Sequence, residues 1–149
     1  MSHAMTKPER EAFLAELHVG VLSIPDAGRG PLSVPIWYAY EPGGEIRIVT
    51  DRASRKGRLL EPGVRVSLVA QSEAIPYRYV SVEGPVVSAA RADLERDVRP
   101  MAHRYLGREL GDQYVAATSG DRTDGESVVV AIRPERWLTV DYGKEFATR

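Results

Sequence analysis

The chain has no cysteine. That excludes disulfides, thiolate metal sites and thiol nucleophiles. Its three histidines, His3, His18 and His103, are scattered, which argues against a histidine-built metal centre. No apolar run approaches the roughly 20 residues of a membrane-spanning helix. The opening "MSHAMTKPER" lacks the apolar core of a signal peptide, so a cytoplasmic location is expected. Met1 to Ala4 read as an appended tag, which leaves one domain from Met5 to Arg149. A dominant charge sign is missing too, because the formal net charge is −1. Partners such as nucleic acid or a membrane surface are therefore not expected, and any basic site must be local. Lysine is scarce beside arginine, which reads as a GC-rich coding sequence rather than as a functional signal.

What is present describes one ordinary globular domain: 149 residues, 43% hydrophobic and 28% charged. Thr6-Lys7-Pro8-Glu9 fits a capping box, and Phe13, Leu14 and Leu17 give the helix behind it an apolar face. "VGVLSI" is a strand stopped by Pro25, and "DAGRG" is a turn. "PLSVPIWYAY" alternates with a strand period, although Pro35 calls for an edge, a bulge or an interrupted ladder. "EPGG" then spaces it as a hairpin with "EIRIVT". "VRVSLVAQ" and "RYVSVEGPVVSAA" follow as strands, the second with a break or bulge at Gly84-Pro85. "RADLERDVRPMAHRYL" has helical spacing at Leu94, Val98, Met101 and Tyr105, with a kink expected at Pro100. "RELGDQYVAA" reads as a further helical piece and "SGDRTDGE" as a polar loop. "SVVVAIRP" and "RWLTVDYG" close the chain as strands. The pattern predicts an α+β, mainly β fold: about six or seven mostly antiparallel strands in a small barrel, with two or three peripheral helices.

The densest chemistry lies in "TDRASRKGRLLEPG", Thr50 to Gly63. A strand runs into a turn carrying Arg52, Arg55, Lys56 and Arg58, just before a short helical pattern. Cations in a helix's first turn oppose its macrodipole, whereas a bound anion would reverse that argument. Thr50 and Ser54 add hydroxyl donors. From spacing alone, an anion site and a solvated surface turn both remain open. Trp37 offers a platform for a flat ring, yet a core or subunit-contact role suffices for it. His103 fits a surface helical residue, and His18 a cation at a helix C-terminus. No serine has a nucleophile-elbow context, and no GxxxxGK loop is present.

The ordered run "VPIWYAY…GEIRIVTDRASRKGRLLEPGVRVSLVAQ" resembles the flavin-binding split-barrel superfamily of pyridoxamine 5'-phosphate oxidase. Within it, the chain is similar to the flavin/deazaflavin oxidoreductase branch, whose members use FMN or the deazaflavin coenzyme F420. The resemblance rests on Pro35 to Tyr38, Ile46 to Thr50, Ser54 to Leu59, Pro62 to Leu68 and Tyr79 to Gly84, and it spans about Val19 to Tyr142. It implies a split barrel in which Lys56 and Arg58 hold the cofactor phosphate. Val49, Thr50, Ser54 and Arg55 would lie in the same turn, Pro35, Ile36 and Trp37 beneath the ring, and Gln71 nearby. It further implies a homodimer with the cofactor at the subunit boundary, for which the aromatic crowd Trp37, Tyr38 and Tyr40 is a matching hint. The implied function is an oxidoreductase that transfers hydride to a small conjugated substrate. A non-enzymatic flavin or haem carrier on the same barrel, or a pyridoxamine phosphate oxidase-like enzyme, remains open. The oxidase's C-terminal substrate-phosphate residues have no counterpart here, whereas "RWLTVDYGK" resembles the compact ends of the deazaflavin branch. FMN and F420 both stay open, with a lean to F420. No catalytic side chain stands out.

Overall fold

The computed structural model describes residues 2–119 and 126–146. Most of the polar "SGDRTDGE" stretch therefore lies outside the described residues. Helix α1 (Lys7–Ala15) begins at the expected capping box. Thr6 Oγ1 accepts the Glu9 N–H at 3.3 Å, and Glu9 Oε1 accepts the Thr6 N–H at 2.8 Å. Each bond occupies a donor that the first helical turn leaves unpaired.

Among the described residues, seven strands follow: β1 (Gly20–Ile24), β2 (Leu32–Ile36), β3 (Ile46–Asp51), β4 (Arg65–Ser72), β5 (Arg78–Arg91), β6 (Ser127–Ile132) and β7 (Arg136–Asp141). Helix α2 (Arg55–Leu59) sits between β3 and β4, while a π turn (Leu94–Val98) and helix α3 (Arg99–Ser119) sit between β5 and β6. The order across the sheet is β2-β1-β4-β5-β6-β3, with β7 added alongside β5. Every pairing is antiparallel. The result is the α+β, mainly β split barrel that the sequence predicted.

Strand β5 makes the split. Its first half pairs with β4 on one side and β7 on the other, and its second half pairs with β6. A register shift between Val86 and Ser88 bends it where the partners change. Gly84 stands at that crossing because a Cβ there would run into the Arg133 carbonyl. The Gly84-Pro85 signal thus marks a change of partners within one continuous strand.

Three local expectations fail. The hairpin between "PLSVPIWYAY" and "EIRIVT" does not form. β2 pairs with β1 and β3 with β6, and only an Ala39–Arg47 bridge links the two regions. Pro35 is compatible with this because β2 is an edge strand. Second, there is no non-helical residue at Pro100, where the π turn passes directly into α3 through a helical Arg99 whose N–H donates to the Leu94 carbonyl. The break falls at Gly107, with φ 80° and ψ 175°, a conformation that suits glycine. The second arm folds back so closely that a Cβ on Gly111 would lie 2.7 Å from His103 Cδ2. His103 is accordingly more than a surface residue: its Nε2 lies 2.7 Å from Asp112 Oδ1, and the Arg99 guanidinium donates to the same oxygen at 2.8 Å. His103 and then Arg99 hold the Asp112 carboxyl below its usual range. Third, Tyr38 and Tyr40 are core residues, 0% and 5% exposed, and so cannot serve as interface aromatics. They join Leu22, Ile24, Ile48, Leu68, Val80 and Val130 in the barrel interior.

Candidate functional site

The segment that raised the question in the sequence ends β3 and forms α2. Ser54 caps α2, because its Oγ accepts the Gly57 N–H at 3.0 Å and donates to the Asp51 carbonyl at 2.6 Å. Both roles of that hydroxyl are thereby taken. Gly57 packs so tightly that a Cβ would run into the same Asp51 carbonyl. Helix α2 is only five residues long, so its dipole is weak and side chains decide the electrostatics here.

The four basic residues of this turn meet different fates. Arg52 lies 3.4 Å from Glu126, and Arg55 pairs with Asp26 at 2.7 Å. Among the described residues, no carboxylate lies within ion-pair distance of Lys56 or Arg58. Of these two, Lys56 alone lines a cleft, of about 440 Å³, beside the end of β2. That volume falls within the range of small-molecule sites, roughly 300–1,000 Å³.

Pro35, Ile36, Trp37, Val49 and Thr50 line this same cleft. Thr50 is 5% exposed, and its Oγ1 lies 3.4 Å from Ser54 Oγ. Ser54, Arg55, Arg58 and Gln71 do not line it. Ser54 is spent on the cap, Arg55 turns to Asp26, Arg58 is exposed, and Gln71 is exposed on β4.

The remaining wall comes from far along the chain. Leu94 and Val98 of the π turn and Tyr114 of α3 close over the strand ends. The helical spacing of Leu94 and Val98 was visible in the sequence, but not the direction in which it faces. Trp37 lies just past β2 and stacks on Tyr105, with ring centroids 5.1 Å apart and planes 4° apart. Tyr114 meets it at 53°. The Tyr105 hydroxyl accepts the Tyr38 N–H at 3.0 Å and donates to the His18 carbonyl at 2.6 Å. One side chain thus pins α3 to both the end of β2 and the segment after α1. His18 itself stacks on Phe13 with centroids 4.5 Å apart and holds the Phe13 carbonyl at 3.1 Å, near the end of α1 as expected.

Chemically, the cleft combines apolar and aromatic residues with the polar Thr50, Asp51, Thr118, Ser119 and Ser127, and Lys56 supplies an ammonium that has no ion-pair partner among the described residues. Such a site suits a flat ring attached to an anionic group.

Comparison with solved structures shows a shared fold. A conserved hypothetical protein, Rv2991, from Mycobacterium tuberculosis superposes with a TM-score of 0.75 at 23% identity, covering 100% of this chain and 93% of that one. An F420 reductase matches with a TM-score of 0.58 at 23% identity, over 86% of this chain and 94% of that one. The haem storage protein HutZ from Vibrio cholerae matches with a TM-score of 0.59 at 17% identity, over 95% and 96%. No curated protein sequence gives a significant match. The sequence model of the pyridoxamine 5'-phosphate oxidase family matches residues 6–141. With the split barrel and a match over nearly the whole length, this chain belongs to the pyridoxamine 5'-phosphate oxidase family.

Proposed function

We propose that the cleft holds a flavin-type cofactor, FMN or the deazaflavin F420, and that the protein is an oxidoreductase acting on a small conjugated substrate. The observation that carries this reading is Lys56, without an ion-pair partner among the described residues, in a cleft that also presents Pro35, Ile36, Trp37 and Tyr114 to a flat ring. Lys56 would meet the cofactor phosphate, with exposed Arg58 adding to the local positive field. Pro35, Ile36 and Trp37 would lie along the ring. When bound, the cofactor supplies hydride chemistry. The protein's own part is to fix the ring and, through Leu94, Val98 and Tyr114, to exclude water. The fold neighbour named as an F420 reductase supports the deazaflavin alternative.

A homodimer belongs to the same proposal. The outward row Pro35–Val21–Val69–Ser81–Leu138 runs in register across five strands. Val21 and Leu138 are 38% and 62% exposed. The row starts at the cleft wall, so a second copy covering it would border the cofactor. We expect about 2,000 Å² or more to be buried in total. A monomer at micromolar concentration in sedimentation velocity would refute the dimer.

The primary test is an absorbance and fluorescence titration of the purified chain with FMN, F420 and haem. Saturable binding of FMN or F420 supports the reading, and binding of neither refutes it. Reoxidation of the reduced cofactor by conjugated acceptors then separates an enzyme from a carrier.

A further inference from the structure

Helix α3 has two arms on either side of Gly107, whose φ of 80° and ψ of 175° glycine alone adopts readily. The second arm, residues 108–119, walls the cleft with Tyr114, Thr118 and Ser119. It carries little apolar anchorage of its own. Gly111 and Val115 are its buried residues, whereas Leu110 and Tyr114 are 58% and 40% exposed. Segments with few buried apolar contacts open at low free-energy cost.

Charge ties this arm down. Asp112 Oδ1 accepts from the Arg99 guanidinium at 2.8 Å and lies 2.7 Å from His103 Nε2, and both partners belong to the first arm. Arg99 also donates to Glu95 of the π turn, at 2.8 and 3.1 Å. That turn supplies Leu94 and Val98 to the same cleft, so one guanidinium joins two of its walls. Gly111 sets the spacing between the arms. A Cβ there would lie 3.0 Å from the His103 backbone nitrogen and 3.1 Å from the Ala102 carbonyl carbon. Without a side chain at that position, the arms close far enough for Asp112 to reach its partners. Asp112, Arg99 and His103 are all partly exposed, so water and salt weaken the contact enough for it to release.

We infer that the second arm of α3 is a lid over the cleft, hinged at Gly107 and latched by Asp112 on Arg99 and His103. Asp112 is a positioning residue: it lies outside the cleft lining and acts by holding Tyr114 against Trp37, with ring centroids 5.4 Å apart. Open, the lid admits a flat molecule past Trp37; closed, it keeps water from the ring. The identity of the molecule that passes rests on the cofactor reading of the cleft, whereas the latch does not.

The first test uses the full chain without ligand. In a Trp137→Phe background, Trp37 is the remaining one of two tryptophans, and its quenching by acrylamide reports access to the cleft. Asp112→Asn should raise that quenching. It should also speed hydrogen exchange of residues 108–119 about tenfold, the loss expected for two partly exposed charged contacts, with the strands unchanged. Gly111→Ala, which wedges the arms apart, should do the same by a different route. Glu95→Gln takes a carboxylate from the same Arg99 without touching Asp112, and should leave exchange in the arm near wild type. Melting temperatures check the fold of each variant. Unchanged quenching and exchange in folded Asp112→Asn and Gly111→Ala proteins would overturn the latch. Faster exchange in the arm with Trp37 still shielded would overturn the lid. Stopped-flow fluorescence with FMN or F420, whichever binds, should then show association and dissociation both faster in Asp112→Asn by a similar factor. Faster dissociation alone would make Asp112 a binding contact and overturn its positioning role. If neither cofactor binds, the cofactor reading fails separately, and quenching and exchange still decide the lid.

Discussion

Replacing Lys56 by alanine separates an anion site from a merely charged turn. Lys56 lines the cleft and has no carboxylate partner among the described residues. A hydrogen bond to a charged group contributes roughly 1.5–3 kcal/mol. Lys56→Ala should therefore raise the cofactor dissociation constant about 10- to 100-fold, at about 1.4 kcal/mol per tenfold. The matched control is Arg55→Ala. Arg55 is one residue away and carries the same charge, but it is committed to Asp26 at 2.7 Å and lies outside the cleft. Its surface ion pair contributes about 0–1 kcal/mol to stability, and its loss should leave cofactor affinity nearly unchanged. Arg58→Ala should fall between the two, because an exposed cation acts through a screened field. The assay is a fluorescence titration of each variant with FMN and F420 at two salt concentrations, with thermal melts to show that the barrel is intact. Wild-type affinity should fall with salt, and Lys56→Ala affinity should fall less. Equal losses for Arg55→Ala and Lys56→Ala, or wild-type binding by a folded Lys56→Ala protein, would refute the reasoning.

Other consequences can be measured. Tyr105→Phe removes the hydroxyl between the Tyr38 N–H and the His18 carbonyl. Losing those bonds should cost about 1–3 kcal/mol, or about 2 to 12 °C in melting temperature for a chain of this size. An unchanged melt would show that α3 is held by other contacts. Gly57→Ala forces a methyl into the Asp51 carbonyl and should cost about 1–3 kcal/mol while also weakening cofactor binding, because it displaces Lys56. Lys144 first, and then Thr6, lower the Glu9 carboxyl from its ordinary 4.5 to about 2. A depressed carboxyl stabilises the fold above its unfolded pKa, and that contribution fades as pH falls through the folded one. The melting-temperature gap between wild type and Glu9→Gln should therefore be widest near neutrality and close between about pH 4.5 and 2. A constant gap would refute the assignment.

The strands, the capping box at Thr6 and the basic turn were legible because each depends on residues close in sequence. Alternation marks a strand, a hydroxyl followed three residues later by Glu marks a helix start, and Pro62-Gly63 stops α2. Pairing was not legible in the same way. "PLSVPIWYAY" and "EIRIVT" have the spacing of a hairpin, but β3 buries Ile46 and Ile48 by joining β6, a partner about 80 residues away. Periodicity says that a face must be covered and leaves open what covers it. The kink shows the same limit. Pro100 is the stronger breaker in sequence, yet it sits where the π turn passes into α3 with no non-helical residue, and Gly107 bends the helix instead. At the cleft, the sequence by itself put Lys56, Thr50 and Trp37 on a short candidate roster. Only the tertiary structure decided that Arg52 and Arg55 are paired while Lys56 has no ion-pair partner among the described residues. It alone brought Leu94, Val98 and Tyr114 across from the other side. The physical reason is that charge compensation and closure depend on distances between segments, and a linear pattern does not carry those distances.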